Sequence, residues 1–331
     1  MNYIGSKKKL SSFIIENIDT LSNGISQKNY AEIFAGTGII ARKLKPQAAS
    51  VSVNDLEYYS YVLLRHYIGN STVENADALV EELNSCLPVK GFIFENYCFG
   101  GGAERNYFSD ANGQKIDAIR QTISKWKTKQ RINENQYYFL LACLLQAADK
   151  VANTASVYGA FLKHIKKSAQ QEMTLVPLKI IPSKADVAIF SEDANQLIRC
   201  IEGDILYLDP PYNHRQYGAN YHLLNTIALY DNFLPKGKTG LRPYTVSKYC
   251  QKNKVSDILK DLLYCAKFKY IFLSYNNEGI LSLENIKTLM QNFGKYDCIT
   301  QTYQRFKADS SDNRQHKAGS TTEYLHFLEK Y

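Results

Sequence analysis

Asp204-Ile-Leu-Tyr-Leu-Asp-Pro-Pro-Tyr212 is the stretch on which the reading of this chain turns. Asp204 to Leu208 reads as a strand. Asp209-Pro210-Pro211-Tyr212 must end it, because two consecutive prolines have no N–H to give a sheet ladder. The same prolines stiffen the backbone and aim the Asp209 carboxylate, the Pro210 carbonyl and the Tyr212 ring into one cleft. An acceptor pair beside an aromatic plane suits a planar ring that carries an amino group. A plain strand-ending turn is the alternative, yet such a turn needs neither the acid nor the aromatic behind both prolines.

Two earlier runs have the same form. Tyr30-Ala-Glu-Ile-Phe34 leads into Ala35-Gly-Thr-Gly38, and a helical pattern follows from Ile39 to Leu44. Val51-Ser-Val53 ends at Asn54-Asp55, with another helical pattern to His66. Strands alternating with helices predict an α/β domain with a mostly parallel sheet, whose ligands sit beyond the carboxyl ends of the strands. Gly36-Thr37-Gly38-Ile-Ile-Ala41 fits G-x-G-x-x-A, and Asp55 stands 19 residues after Gly36. Such glycines allow a tight turn and close backbone approach to a ligand, and the acid suits ribose hydroxyls. A dinucleotide, another adenosine-bearing cofactor and a bare strand-to-helix turn all satisfy this motif.

From about Gly69 to Ser183 the alternation stops. Helical patterns begin at Gln114 and Glu134, and Tyr137–Leu145 is apolar nearly all round, which predicts a buried helix. The expected organisation is therefore one α/β domain, residues 1–68 and 187–331, carrying a helical insertion, 69–186. After Tyr212 the alternation resumes with a strand at Tyr270–Ser274 and a helix at Leu281–Phe293. Cys298–Phe306 and Glu323–Leu328 then predict a terminal antiparallel hairpin.

Composition narrows the function classes. The 331 residues carry 40 Lys and Arg against 32 Asp and Glu, a net charge of +8 that favours a polyanionic partner. No run approaches the ~18 apolar residues of a membrane span, and Met1–Leu10 does not lead into a signal-peptide core. A soluble cytoplasmic protein is expected. The seven cysteines lack C-x-x-C spacing and read as small buried hydrophobes; the six histidines show no metal-ligand spacing, so no metal is expected. Lys238 sits in Gly-Lys-Thr, but Asn232 stands where a P-loop needs Gly, so a nucleoside-triphosphatase reading fails.

With these motifs in order, the chain resembles the Dam-like alpha group of adenine-N6 DNA methyltransferases. Asp-Pro-Pro-Tyr is intact at 209–212, and the group's F-x-G-x-G matches Phe34-Ala-Gly-Thr-Gly38. Asn2-Tyr-Ile-Gly-Ser-Lys-Lys-Lys-Leu10 is similar to the group's first cofactor motif, with Tyr3 replacing Trp, Ser6 replacing the second Gly, and Lys7 in place. The resemblance implies a Rossmann-like core with a seven-stranded sheet, S-adenosylmethionine as cofactor, and the helical insertion as target-recognition domain. It also implies double-stranded DNA as substrate, a restriction–modification setting with a cognate endonuclease as functional partner, and a bacterial or phage cytoplasm near the nucleoid. Lys7 would then meet the methionine carboxylate and Asp55 would hold the ribose. Tyr3, Gly36, Thr37 and Gly38 would also line the cofactor, and Asp193 would meet its adenine beside Phe34. A helix N-cap is the other reading of Asp193, which precedes Ala-Asn-Gln-Leu.

Catalysis would rest on Asp209, Pro210, Pro211 and Tyr212. Hydrogen bonds from the target amine to the Asp209 carboxylate and the Pro210 carbonyl would favour a more tetrahedral nitrogen, and Tyr212 would stack on the extruded base. No cysteine follows a proline, as cytosine ring-carbon methylation would require. The stretch 232–256 holds six Lys or Arg and no acid, and Arg120, Lys125, Lys127, Lys129 and Arg131 surround Trp126. Both read as phosphate-binding or as solvated faces. Expected nucleic-acid contacts are Lys236, Lys238, Arg242 and Lys248, with Tyr158 filling the gap left by the flipped base and Lys163 and Lys166 clamping phosphate. For Tyr158 a place in a helix ending at Gly159 is the alternative. Four other functions stay open at this point: methylation of a cytosine amine, methylation of RNA adenine, nicotinamide-dependent oxidoreduction, and a silent DNA-binding subunit.

Overall fold

A computed structural model describes residues 6–304 and 320–331. The chain divides into two units. The sheet unit comprises Ser6–Leu56, Ser183–Gln216 and Val246–Tyr331, and the helical unit includes Glu57–Pro182 and Tyr217–Thr245.

The sheet unit has seven strands: β1 (Asn29–Glu32), β2 (Ser50–Asn54), β3 (Asp186–Phe190), β4 (Glu202–Leu208), β5 (Lys267–Asn276), β6 (Gly294–Gln304) and β7 (Ser320–Lys330). Their order is β3-β2-β1-β4-β5-β7-β6, with β1 to β5 parallel and β7 antiparallel to both neighbours. This is the mostly parallel α/β sheet that the alternating motifs predict. Ile205 to Leu208 and Tyr270 to Asn276 are continuously buried, the pattern of strands covered on both faces. The helix Val255–Cys265 covers one face with Val255, Leu259, Leu262 and Leu263, a helical spacing that makes one apolar stripe. The hairpin expectation holds for β6 and β7, although Arg305 and Phe306 lie outside the described residues. The strand order reverses between β1 and β4, the place where parallel sheets open a crevice for ligands.

The helical unit is built around Glu134–Val151, the helix predicted to be buried. Its N-terminus carries a capping box in which Asn133 and Gln136 satisfy each other's backbone N–H. Ten of its 18 residues are buried. They share one apolar cluster with Tyr59, Val62 and Leu63 from Tyr58–Leu64 and with Leu223, Leu224 and Ile227 from His222–Leu229. That shared core is why residues 57–68 and 217–245 fall with the helices rather than with the sheet.

Two buried ions fasten the helical unit. Asp117 accepts from the N–H groups of Gly91, Ile93 and Phe94 at 3.1, 2.9 and 2.8 Å, and from the Tyr230 hydroxyl at 2.6 Å. It thereby satisfies donors at the start of the helix Phe92–Tyr97. Arg120 donates to the carbonyls of Ile227 and Ala228, both at 2.9 Å, in the last turn of His222–Leu229.

Candidate active site

In the sheet unit, the carboxyl ends of β1, β2 and β3 are tied together by Asn54. Its amide donates to the carbonyls of Ile33 and Glu192, both at 3.0 Å, and its oxygen accepts from the Glu192 N–H at 2.9 Å. Beyond β1, Gly36 and Gly38 take φ of 52° and 68°, the left-handed region where a side chain is strained. The Gly36 N–H donates to Asp55 Oδ2 at 2.8 Å, so the glycine turn and the acid at the end of β2 are one structure. Thr37 is half-buried between the two buried glycines. Phe34 stands edge-on to Tyr249 with centroids 4.9 Å apart, and the Tyr249 hydroxyl donates to Asn195 at 2.7 Å.

Asp193 caps a short helix, Ala194–Leu197, accepting from the N–H groups of Asn195 and Gln196. The capping reading of this acid is the one the geometry displays. Tyr3 lies outside the described residues.

The end of β4 carries the most concentrated charge. Lys7 Nζ lies 2.8 Å from Asp209 and 3.1 Å from Glu323, a residue of β7. Lys7 and Glu323 are buried, at 6% and 1% exposure, while Asp209 keeps 18%. Burial alone would lower the Lys7 pKa, but the two carboxylates hold it well above that of an ordinary lysine. Burial raises both carboxyls above the usual carboxylate range, with Lys7 pulling the other way. Behind them Glu32 accepts from the Ala41 N–H at 2.8 Å and the Tyr30 hydroxyl at 3.2 Å, and burial pushes its carboxyl up to about 8. Tyr212 packs edge-on to Tyr275, its ring centroid 5.7 Å from Lys7 Nζ. The Ile280 N–H pins the Tyr212 carbonyl at 2.8 Å. Pro210 is buried and Pro211 half-buried, just beyond the end of β4.

The residues expected to bind nucleic acid divide. Lys163, Lys236, Lys238 and Lys248 are exposed. Lys236 and Lys238 ride on a turn closed by paired Lys236 and Leu241, which Tyr97 holds through the Gly240 carbonyl at 2.7 Å and Arg105 through those of Gly237 and Lys238.

Arg242 is a correction: its guanidinium is buried, paired with Asp231 at 2.8 Å and stacked over Phe233. Lys166 is half-buried, and its ammonium donates to the Thr154 carbonyl at 2.7 Å. Tyr158 is the second correction. It is fully buried in the core of the helical unit with its hydroxyl on Asp149 at 3.0 Å, so its ring cannot fill a gap in a base stack. The cluster around Trp126 is likewise structural in part. Arg120 is buried, Arg131 pairs with Glu82 over the Trp126 ring, and Lys127 pairs with Glu134.

Sequence reasoning missed Glu323, and it read Asn54 only as a strand end and not as the tie between three strands. Among the described residues no group of three or more His, Cys, Asp or Glu is placed to hold a metal ion. No helix among them is long and apolar enough to cross a membrane.

Residues 3–289 match the family model of D12 class N6 adenine-specific DNA methyltransferases. The chain belongs to this family. This D12-class methyltransferase is 55% identical to the type II methyltransferase M.NlaIII of Neisseria lactamica, over all of this chain and 99% of that protein. It is 35% identical to M.CviAII of Paramecium bursaria Chlorella virus 1, over 99% of this chain and 98% of that one. Against M.FokI of Planomicrobium okeanokoites it is 37% identical and spans 53% of the longer protein. The family decides among the functions left open by the glycine motif. Hydride transfer falls, since the matching model is that of N6 adenine-specific DNA methyltransferases. The cytosine-amine reading falls with it.

Proposed function

We propose that this D12-class enzyme transfers a methyl group from S-adenosylmethionine to the exocyclic amine of an adenine flipped out of duplex DNA. It would serve as the modification enzyme of a type II restriction–modification pair, in a bacterial or phage-infected cytoplasm, with a cognate endonuclease as functional partner. The observation that carries this reading is the acceptor at the end of β4: Asp209, partly exposed, held at 2.8 Å by a buried ammonium next to the Tyr212 ring.

The residues beyond β1 and β2 fit the cofactor's adenosine. Two glycines in the left-handed region offer backbone without side chains, and the half-buried Asp55 adjoins them. Phe34 and Asp193 stand at the ends of the flanking strands β1 and β3. When bound, the cofactor supplies the methyl group. The chain's own work is done by Asp209 and the Pro210 carbonyl, which accept from the target amine, orient its lone pair and give its departing proton somewhere to go. Lys7 is better suited to this acceptor than to the cofactor's carboxylate, since two carboxylates already share its ammonium.

Incubation with labelled cofactor and matched DNA and RNA tests the substrate. Label in DNA, mapped to adenine by methylation-sensitive sequencing, supports the proposal; label in RNA alone defeats it. Asp55→Ala should weaken S-adenosylmethionine binding by about 10–100-fold in calorimetry, the loss of hydrogen bonds to a charged acceptor. Unchanged affinity would move the ribose contact elsewhere. On DNA, neutralising Lys163, Lys236, Lys238 or Lys248 should weaken binding uniformly across sequences and reduce the salt slope by about one for each phosphate left without its lysine. A variant with the native slope would remove that lysine from the interface.

A further inference from the structure

Lys7 is one ammonium between two carboxylates, and the second of them has no place in the chemistry so far. A single buried carboxylate would balance the charge of Lys7. Adding Glu323, 1% exposed, puts a further buried charge on the same cation at an extra desolvation cost. With both carboxyls ionised the trio carries a formal −1, where Lys7 and Asp209 alone would carry none. The groups around Asp209 come from every neighbouring element. They are Lys7, the Tyr207 and Tyr212 phenols flanking it in the chain, Glu32 of β1 and Glu323 of β7. β5 contributes the uncharged Ser274, whose hydroxyl meets that of Tyr207 at 2.8 Å.

We propose that Glu323 is a positioning residue for methyl transfer. By sharing the Lys7 ammonium it keeps that cation from neutralising Asp209, and so preserves the acceptor strength that the target amine requires. The inference rests on Asp209 being the amine's acceptor. It makes the antiparallel strand β7 part of the site, although no motif read from the sequence lies there. An ammonium fully committed to Asp209 would occupy its lone pairs and spread its charge. Glu323 draws the ammonium to one side, leaving Asp209 an anion toward the crevice.

The test is the pH dependence of kcat on duplex DNA at saturating cofactor, for the wild type, Glu323→Gln, Glu323→Asp and the double variant Lys7→Met with Glu323→Gln. Glu323→Gln removes a negative neighbour, so Asp209 holds its proton less tightly. The acid limb should move to lower pH by about one unit, while kcat on the plateau falls about tenfold. Glu323→Asp keeps the charge and should recover most of both. The double variant leaves Asp209 alone, again at −1, and should bring the acid limb back toward the wild-type position. Thermal melts identify any variant lost to misfolding, in which case the other two decide. An unmoved limb in Glu323→Gln, or equal losses in Glu323→Gln and Glu323→Asp, would overturn the proposal and leave Glu323 a packing residue. Asp209→Ala belongs in the same assay. If that variant methylates, the reading of Asp209 fails. If it is dead while Glu323→Gln follows the wild type, only the role of Glu323 fails.

Discussion

Asp209→Ala is expected to abolish methyl transfer, lowering kcat by about 10^3-fold or more while S-adenosylmethionine binds within about tenfold of its native affinity. The size of the effect follows from what the side chain is asked to do. The amine of adenine is a weak nucleophile because its lone pair is delocalised into the ring, and on the proposed mechanism the anionic acceptor at the end of β4 localises it. The variant should fold, because Lys7 keeps Glu323 as its counter-ion at 3.1 Å. Asp209→Asn retains shape and loses charge, so it separates the two contributions and should fall between alanine and wild type. Single-turnover methylation of a duplex substrate, with cofactor binding measured alongside, gives the answer. Near-native turnover in the alanine variant would remove Asp209 from the chemistry.

The second large effect is on stability. Tyr158→Ala should destabilise the helical unit by about 3–5 kcal/mol, the usual cost of emptying a buried aromatic site. The ring is fully buried against Tyr107 and Tyr221, and the backbone around it is fixed as well: its N–H donates to the Asn220 carbonyl at 2.7 Å. Its own carbonyl accepts from the Tyr107 hydroxyl at 2.6 Å and meets His222 Nε2 at 3.0 Å. Tyr158→Phe keeps the packing and gives up only the hydroxyl's bond to Asp149, about 1.5–3 kcal/mol for a charged partner. Denaturant melts followed by the helix signal measure both. A Tyr158→Ala protein with native stability but impaired base extrusion, read by 2-aminopurine fluorescence, would return the residue to the DNA interface.

How far the sequence could be read depended on the range of the interactions involved. The strand–glycine turn at 30–38, the Asn54-Asp55 strand end and the diproline stop at 210–211 are local devices, and each was legible where it stood. Charge counting along the chain served less well. The basic run at 232–256 includes Arg242, but the Asp231 that neutralises it lies one residue outside the counted window. Arg120 looks like a surface cation beside its basic neighbours, yet it is aimed at carbonyls 107 and 108 residues further on. Tyr158 follows a switch from the apolar run ending at Leu145 to polar sequence around Asn153 and Thr154, the usual mark of an exposed segment. Asn153 explains that polarity, for its side chain is buried and holds the carbonyls of Asn106 and Leu162. Glu323 had no local signal at all. An acid in an alternating strand looks like a solvent-facing residue until Lys7, some three hundred residues earlier in the sequence, is folded against it.

The position of β7 between β5 and β6 has a consequence in time. β6 precedes β7 in the chain, and β7 is the strand it pairs with, so the β6 ladder cannot form before β7 is in place. Without β7, Lys7 would have Asp209 but not Glu323, because that acid is carried on β7 and comes to Lys7 only through its pairing with β5. On the role proposed for Glu323, completion of the sheet and activation of the acceptor would be one event, and a half-made fold would lack a working catalyst.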